Sequence, residues 1–269
     1  MNYELFISDF DGTLVRADGT ISGRNIEAIA AYREAGGIFA VCTGRMLASI
    51  RPRLKDLGLD DGIVIAFQGA QVADIATGKL LKDDAFTREQ ALEVLCFMEE
   101  NDLHVHAYAG ERMLVNRQNA LLEAYETMCR VKGDFSDMPL SERVVQENLR
   151  IVKMLVMCSA DEQPKVEELL LKRFGETYYV TCSSEYLVEI MPKGQSKAAA
   201  VAFLSNYYKV PVEKIAAIGD QKNDIPLVAS AGGKFAVANA VKELKEFATV
   251  VPSVEEDGVA YAIEKYAME

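Results

Sequence analysis

Leu5-Phe6-Ile7-Ser8-Asp9-Phe10-Asp11-Gly12-Thr13-Leu14 opens the chain with an apolar run that ends abruptly in two carboxylates spaced two apart, followed by a glycine. Residues 3–8 read as a buried strand. Carboxylates at the end of such a strand are costly unless something compensates them, most simply a cation. Working outward, Ser22 is placed to cap a helix over roughly residues 22–35, with Ile26, Ile29 and Ala30 on one face and Gly36-Gly37 as its stop. Residues 37–42 predict a second buried strand, ending at Thr43-Gly44-Arg45. Another helix runs to about Leu57, and Ile63-Val64-Ile65-Ala66 makes a third strand. This alternation indicates an α/β fold, a doubly wound parallel sheet whose ligands bind beyond the carboxyl ends of the strands. The acid pair and the Thr43 turn both fall at such ends.

Between residues 84 and 191 the pattern changes. Thr87-Arg88-Glu89-Gln90 has the spacing of a capping box, and the helix it opens aligns Ala91, Val94, Leu95 and Met98. Strands are expected near 103–108, 112–115, 151–158, 177–182 and 186–191, with helices near 118–129 and 164–173. Largely hairpin-connected strands with helices make a small α+β module inserted into the first sheet. The expected organisation is therefore a core domain over 1–83, an inserted α/β cap over 84–191, and a second core segment over 192–269. From about 196 the first pattern resumes with a helix and Ile215-Ala216-Ala217-Ile218-Gly219-Asp220, another apolar strand ending in an acid. A helix near 224–230, a strand at 234–238, a helix near 241–247, a strand at 248–251 and a helix at 257–266 complete the series.

Composition bounds the partners. The 269 residues are 50% hydrophobic and 26% charged, ordinary for a water-soluble protein. The formal charge of −12 argues against general nucleic-acid binding, which needs a basic footprint. No apolar run approaches the roughly 20 residues that span a bilayer, and no signal-cleavage pattern precedes the acid pair. The five cysteines are scattered singly, without a C-x-x-C pair, so a disulfide framework or zinc site is not expected and a cytoplasmic location is. His104-x-His106 on one strand face lacks an evident third ligand and reads as an ordinary strand pair.

Phosphoryl transfer to an enzyme carboxylate needs a nucleophile, charge neutralisation on the equatorial oxygens and proton delivery to the leaving group. Asp9 supplies an oxygen nucleophile already ionised at neutral pH. Asp11 is placed to protonate the leaving oxygen and then deprotonate water, while Gly12 turns the chain beside the phosphate. Thr43 offers a hydroxyl, Gly44 a closely approaching backbone N–H, and Arg45 either a substrate contact or a surface charge. Lys197 is expected in the first turn of a helix capped by Ser196, a poor place for a cation unless it shares a phosphate with the helix terminus; Lys193 competes for that role. In Gly219-Asp220-Gln221-Lys222-Asn223-Asp224, Asp220 is placed to ligate Mg²⁺, Asn223 to contact phosphate or nucleophile, and Asp224 to orient or add to the metal set.

These four motifs, in this order, resemble the haloacid dehalogenase superfamily of aspartate-nucleophile phosphohydrolases, and most closely its Cof-type (YidA-like) sugar-phosphatase branch. The resemblance covers almost the whole chain and places an α/β cap where residues 84–191 lie. It implies Asp9 as nucleophile, Asp11 as general acid and base, and Asp9, Asp11 and Asp220 as the Mg²⁺ site. It implies phosphate contacts from the Phe10 and Gly44 backbone, Thr43, Lys197 and Asn223. Three positions depart from the pattern: Gln68-Gly69-Ala70 stands where Asn-Gly-Ala is usual, Ala198 follows Lys197 in place of glycine, and Pro226 occupies a small-residue position. The expected activity is Mg²⁺-dependent hydrolysis of small phosphorylated metabolites, sugar phosphates foremost, with a cap that selects the leaving group. The alternatives are a phosphomutase using the same intermediate, and a phospho-Asp signalling or binding module without turnover.

Overall fold

Leu5–Ser8 forms the first strand, β1, with all four residues buried, in a computed structural model that describes residues 1–269. Contacts group the chain into two units, one comprising 1–44, 50–82 and 196–269, the other 45–49 and 83–195. Sequence reading draws the borders at 83/84 and 191/192, and nothing in the sequence marks 45–49 as part of the second unit.

In the first unit, β1 leads to helix α1 (Gly23–Glu34), whose cap Ser22 accepts the Asn25 N–H at 3.1 Å. The helix gives way to Gly36 at φ 93° and then Gly37, where a Cβ would stand 2.5 Å from the Tyr32 ring. Strand β2 (Ile38–Cys42), helix α2 (Leu47–Asp56) and strand β3 (Ile63–Ala66) follow. Two short strands, β4 (Gln71–Asp74) and β5 (Leu80–Asp83), extend the sheet. Sequence reading misses both, because four-residue segments with polar ends carry too little periodicity.

The second unit contains α3 (Arg88–Glu100), β6 (His104–Ala109), β7 (Arg112–Val115), α4 (Ala120–Cys129), β8 (Gly133–Phe135), α5 (Leu140–Gln146), β9 (Lys153–Met157), α6 (Gln163–Phe174), β10 (Tyr178–Ser184) and β11 (Leu187–Pro192). The expected capping box is present in full: the Thr87 hydroxyl accepts the Gln90 N–H and the Gln90 side chain accepts the Thr87 N–H. The six strands run in the order β10-β11-β9-β6-β7-β8, antiparallel except for the β7–β8 pair. Alternation sorts the two faces. Val105 and Ala107 join Met154, Val156, Val188 and Ile190 in an apolar core with α3, α5 and α6. His104, His106, Tyr108, Lys153 and Glu189 occupy the other face, also buried. The short β8 and α5 lie outside the sequence expectation.

Back in the first unit come α7 (Ala198–Tyr208), β12 (Ile215–Gly219), α8 (Ile225–Ser230), β13 (Gly233–Val237), α9 (Lys242–Lys245), β14 (Thr249–Val251) and α10 (Gly258–Ala262), the last continuing as a π-helical turn over Ile263–Ala267. The sheet order is β14-β13-β12-β1-β2-β3-β4-β5, parallel from β14 to β3. Phe6 stacks between Phe39 and Phe235, with centroids 6.1 and 6.2 Å away, which locks neighbouring strands over one core. From β1 the chain first builds outward through β2 and β3, and later returns to add β12, β13 and β14 on the opposite side. The β1/β12 pair is therefore where the strand order reverses, the crevice in which such sheets bind ligands.

Candidate active site

Register sets the site. Ser8 on β1 lies beside Ile218 on β12, so Asp9 and Asp220, each just past its strand, emerge from adjacent strand ends. Asp9, Asp220 and Asp224 form a buried trio, each offering a carboxylate oxygen within 4.8 Å of the others. Lys197 reaches into the trio with its ammonium group bound to Asp9 Oδ1 and, at 2.5 Å, to Asp224 Oδ1. Lys197 is 1% exposed, so this charge is committed to the site and not to solvent.

Each loop is held by identifiable bonds. Phe10 O accepts the N–H groups of Leu14 and Val15, folding 10–15 into a tight turn. Gly12 sits in it at φ 78°, and a Cβ there would come within 2.5 Å of Asp220 Oδ2. After β12, Asp224 Oδ2 accepts the N–H groups of Asp220 (2.9 Å) and Gln221 (3.0 Å), so the same carboxylate shapes its own turn and binds Lys197. Close passage over Asp224 also explains Gly219, where a Cβ would lie 2.4 Å from Asp224 Cβ. Val241 N–H closes the far side by donating to Asp220 O at 2.8 Å.

Electrostatics follow from burial. Asp9 is pushed up to about 7, first by desolvation and then by repulsion from Asp224, with Lys197 opposing. Asp220 is pushed up to about 9 by burial and by Asp9 and Asp224. Lys197 is held well above the ordinary lysine range by the two acids, despite its own burial. Three carboxylates against one ammonium leave the ionised site short of positive charge. The donor set is all hard oxygen, the ligand chemistry that Mg²⁺ takes. The residues present therefore fit a magnesium ion.

The remaining expected residues are distributed as follows. Thr43 is buried at the end of β2, its N–H bound to Ile65 O at 2.9 Å, with Gly44 following. Asn223 is 6% exposed in the turn after β12. Asp11 is exposed and is not a member of the buried trio, in which Asp224 stands as the third acid. Arg45 groups with the second unit, where it donates to Ser49 Oγ and Met128 O. Lys193, the competing lysine, donates to Glu176 O in that unit. One helix expectation is corrected. Lys197 itself occupies the N-cap position of α7 and Ser196 makes no side-chain cap, because the turn is closed by backbone bonds from Ala199 to Ser196 O and from Ala200 to Lys197 O.

Two contacts at the site are not predicted by the sequence. Thr13, fully buried, donates its hydroxyl to Asp220 Oδ1 at 3.1 Å. Its place in D-x-D-G-T-L was visible, but a partner 207 residues away was not. Gln68, also fully buried, accepts the Asn223 amide at 3.1 Å. In the second unit, His104 and His106 are both buried, with ring centroids 5.2 Å apart, and neither belongs to a three-ligand cluster. All five cysteines are unbridged.

The family model for haloacid dehalogenase-like hydrolases matches residues 6–263. The chain is 28% identical over 280 residues to the 5-amino-6-(5-phospho-D-ribitylamino)uracil phosphatase YwtE of Bacillus subtilis, covering 96% of each. It is 25% identical over 240 residues to the HMP-PP phosphatase of Escherichia coli O6:H1, covering 88% of this chain and 85% of that one. Among solved structures it superimposes with a TM-score of 0.85 on a haloacid dehalogenase-like hydrolase from Bacteroides thetaiotaomicron, at 24% identity and covering 98% and 99% of the two chains.

Proposed function

The chain belongs to the haloacid dehalogenase-like hydrolase family, and from that premise we propose that it is a magnesium-dependent phosphatase that hydrolyses small phosphorylated metabolites through an aspartyl-phosphate on Asp9. The observation that carries this reading is the buried Asp9–Lys197–Asp224 bridge with Asp220 beside it, at the point where the strand order reverses. A carboxylate that burial and repulsion push up to about 7 is kept ionised only by nearby positive charge. Lys197 supplies part of that charge. Asp9 and Asp220, with Asp224 in reach, would hold Mg²⁺, which would supply further neutralisation of the site and of a bound phosphoryl group.

In the proposed sequence an Asp9 oxygen attacks phosphorus in line as the bond to the leaving oxygen breaks. Asp11 gives that oxygen a proton. Asp11 then takes a proton from water, whose oxygen attacks phosphorus and breaks the Asp9–phosphorus bond, freeing inorganic phosphate and the carboxylate. Phosphoryl oxygens are received by the backbone at Phe10 and Gly44, Thr43, Lys197 and Asn223. The exposure of Asp11 suits a group that must exchange protons with the leaving group and water. Cys42 at the end of β2 is no rival nucleophile, since burial pushes its thiol up to about 12.

The two named phosphatase relatives act on a phosphorylated ribitylamino-uracil and on HMP-PP. A panel of sugar phosphates and phosphorylated heterocycle precursors is therefore the place to look for the substrate. Unbridged cysteines support a reducing, cytoplasmic setting. The test is Mg²⁺-dependent phosphate release from p-nitrophenyl phosphate and that panel, for wild type and Asp9→Asn. Turnover in wild type with near-complete loss in the variant is expected. Equal release from both overturns the nucleophile assignment, and transfer of phosphate within the substrate without release makes the protein a mutase.

A further inference from the structure

Residues 67–69, between β3 and β4, are the one run of three consecutive positive φ values: Phe67 at 47°, Gln68 at 56° and Gly69 at 101°. Phe67 and Gln68 are fully buried. A left-handed backbone is unfavourable for both residue types and persists where surrounding contacts over-determine it. Those contacts converge on the candidate site. Gln68 N–H donates to Thr43 O at 3.0 Å, and Gln68 Oε1 accepts Asn223 Nδ2 at 3.1 Å. Gly69 passes so close to Ser196, the neighbour of Lys197, that a Cβ would lie 2.6 Å from Ser196 O. Lys82 Nζ holds Gly69 O at 2.9 Å from the other side.

The sheet order shows why such a turn is needed. β3 and β12 are separated by β2 and β1, so their ends lie on the order of 14 Å apart at ~4.8 Å per strand. A chain leaving β3 straight along its axis would not meet the turn after β12. The left-handed turn swings Gln68 back over the strand ends, where one residue ties the Thr43 loop by its backbone to the Asn223 turn by its side chain. Asn223 is the group that needs holding. Its Oδ1 is buried without a hydrogen-bond partner, so the Gln68 contact on Nδ2 is the hydrogen bond that sets which way the carboxamide faces.

We propose that Gln68 is a positioning residue for the phosphoryl site: its Oε1 sets the orientation of the Asn223 carboxamide, turning the second Nδ2 proton toward a phosphoryl oxygen and leaving Oδ1 to accept from a hydroxyl or water. The proposal rests on the phosphatase reading above. It makes the Gln68 carboxamide act on phosphate through Asn223, and that dependence is measurable.

The test is a double-mutant cycle on the full chain with Gln68→Met, Asn223→Ala and the pair, followed by kcat/KM for p-nitrophenyl phosphate and inhibition by inorganic phosphate. Loss of one hydrogen bond to a transition-state contact predicts a fall of about tenfold for Gln68→Met, a matching weakening of phosphate inhibition, and no further loss when Gln68→Met is added to Asn223→Ala. Gln68→Gly, which accepts the left-handed backbone at no steric cost, guards against a folding artefact and is expected to lose the same activity. Multiplying, independent losses overturn the proposal, as does wild-type kinetics in both Gln68 variants. Absence of phosphate release from wild type on every monoester would instead sink the functional reading itself, before any variant is compared.

Discussion

Gly12 shows how tightly single residues are specified around the acid cluster. Its φ of 78° belongs to the left-handed region, and the space a Cβ would take is filled by Asp220 Oδ2. Gly12→Ala should cost about 1–3 kcal/mol from the backbone alone, and the displaced Asp220 should carry activity down with it. Chemical denaturation and kcat/KM on the same preparation check this; an alanine variant as stable and active as wild type would contradict the geometry. Asp9, Asp220, Asp224 and Lys197, which the structure brings together, were legible as candidates because acids after an apolar strand are conspicuous. Sequence reading could not find the Thr13–Asp220 or Gln68–Asn223 bonds. Those pairs are 207 and 155 residues apart, and only the sheet order brings them together.

Elements were legible where periodicity or caps were strong. Ser22, the Thr87–Gln90 box and the buried β1, β2 and β12 all follow from local chemistry. β4, β5, β8 and α5 did not, being three to seven residues long and stabilised by neighbours more than by their own pattern. Strand β6 carries a pH consequence of its own. Burial depresses His104 to about 4, helped by Arg117, and His106 to about 3, helped by His104 and Lys153. Tyr125 faces the His106 ring, and Asn119 lies 3.4 Å from His104 Nδ1. Both rings are neutral when folded, whereas the unfolded chain protonates them near the ordinary value of about 6.5. Their contribution is thus fully present above that value and is lost as pH falls from about 6.5 toward 3–4. The raised Asp9 and Asp220 carboxyls pull the opposite way on acidification, so the test is a difference. His106→Phe should gain stability relative to wild type as pH falls from 7.5 to 4.5, read from urea midpoints, and so change the slope. A slope unchanged in the variant would show that these rings do not govern it.

At the scale of the whole molecule, the first unit is assembled from residues 1–44, 50–82 and 196–269, so the candidate site is complete only when distant segments pair. β1 and β12 close that pairing, and the acids they deliver are short of positive charge. Magnesium should therefore stabilise the folded chain by mass action, raising Tm as its concentration passes Kd. Asp220→Asn should abolish the shift while leaving the protein folded, and an equal shift in that variant would place the ion elsewhere. Everything else proposed depends on Asp9 forming a covalent bond to phosphorus. Mass spectrometry of acid-quenched Asp11→Asn after incubation with p-nitrophenyl phosphate and Mg²⁺ tests this most directly. A phosphoryl adduct on the peptide bearing Asp9, absent from Asp9→Asn, is the predicted result; turnover in wild type with no adduct in Asp11→Asn, or with the adduct on another residue, would contradict it.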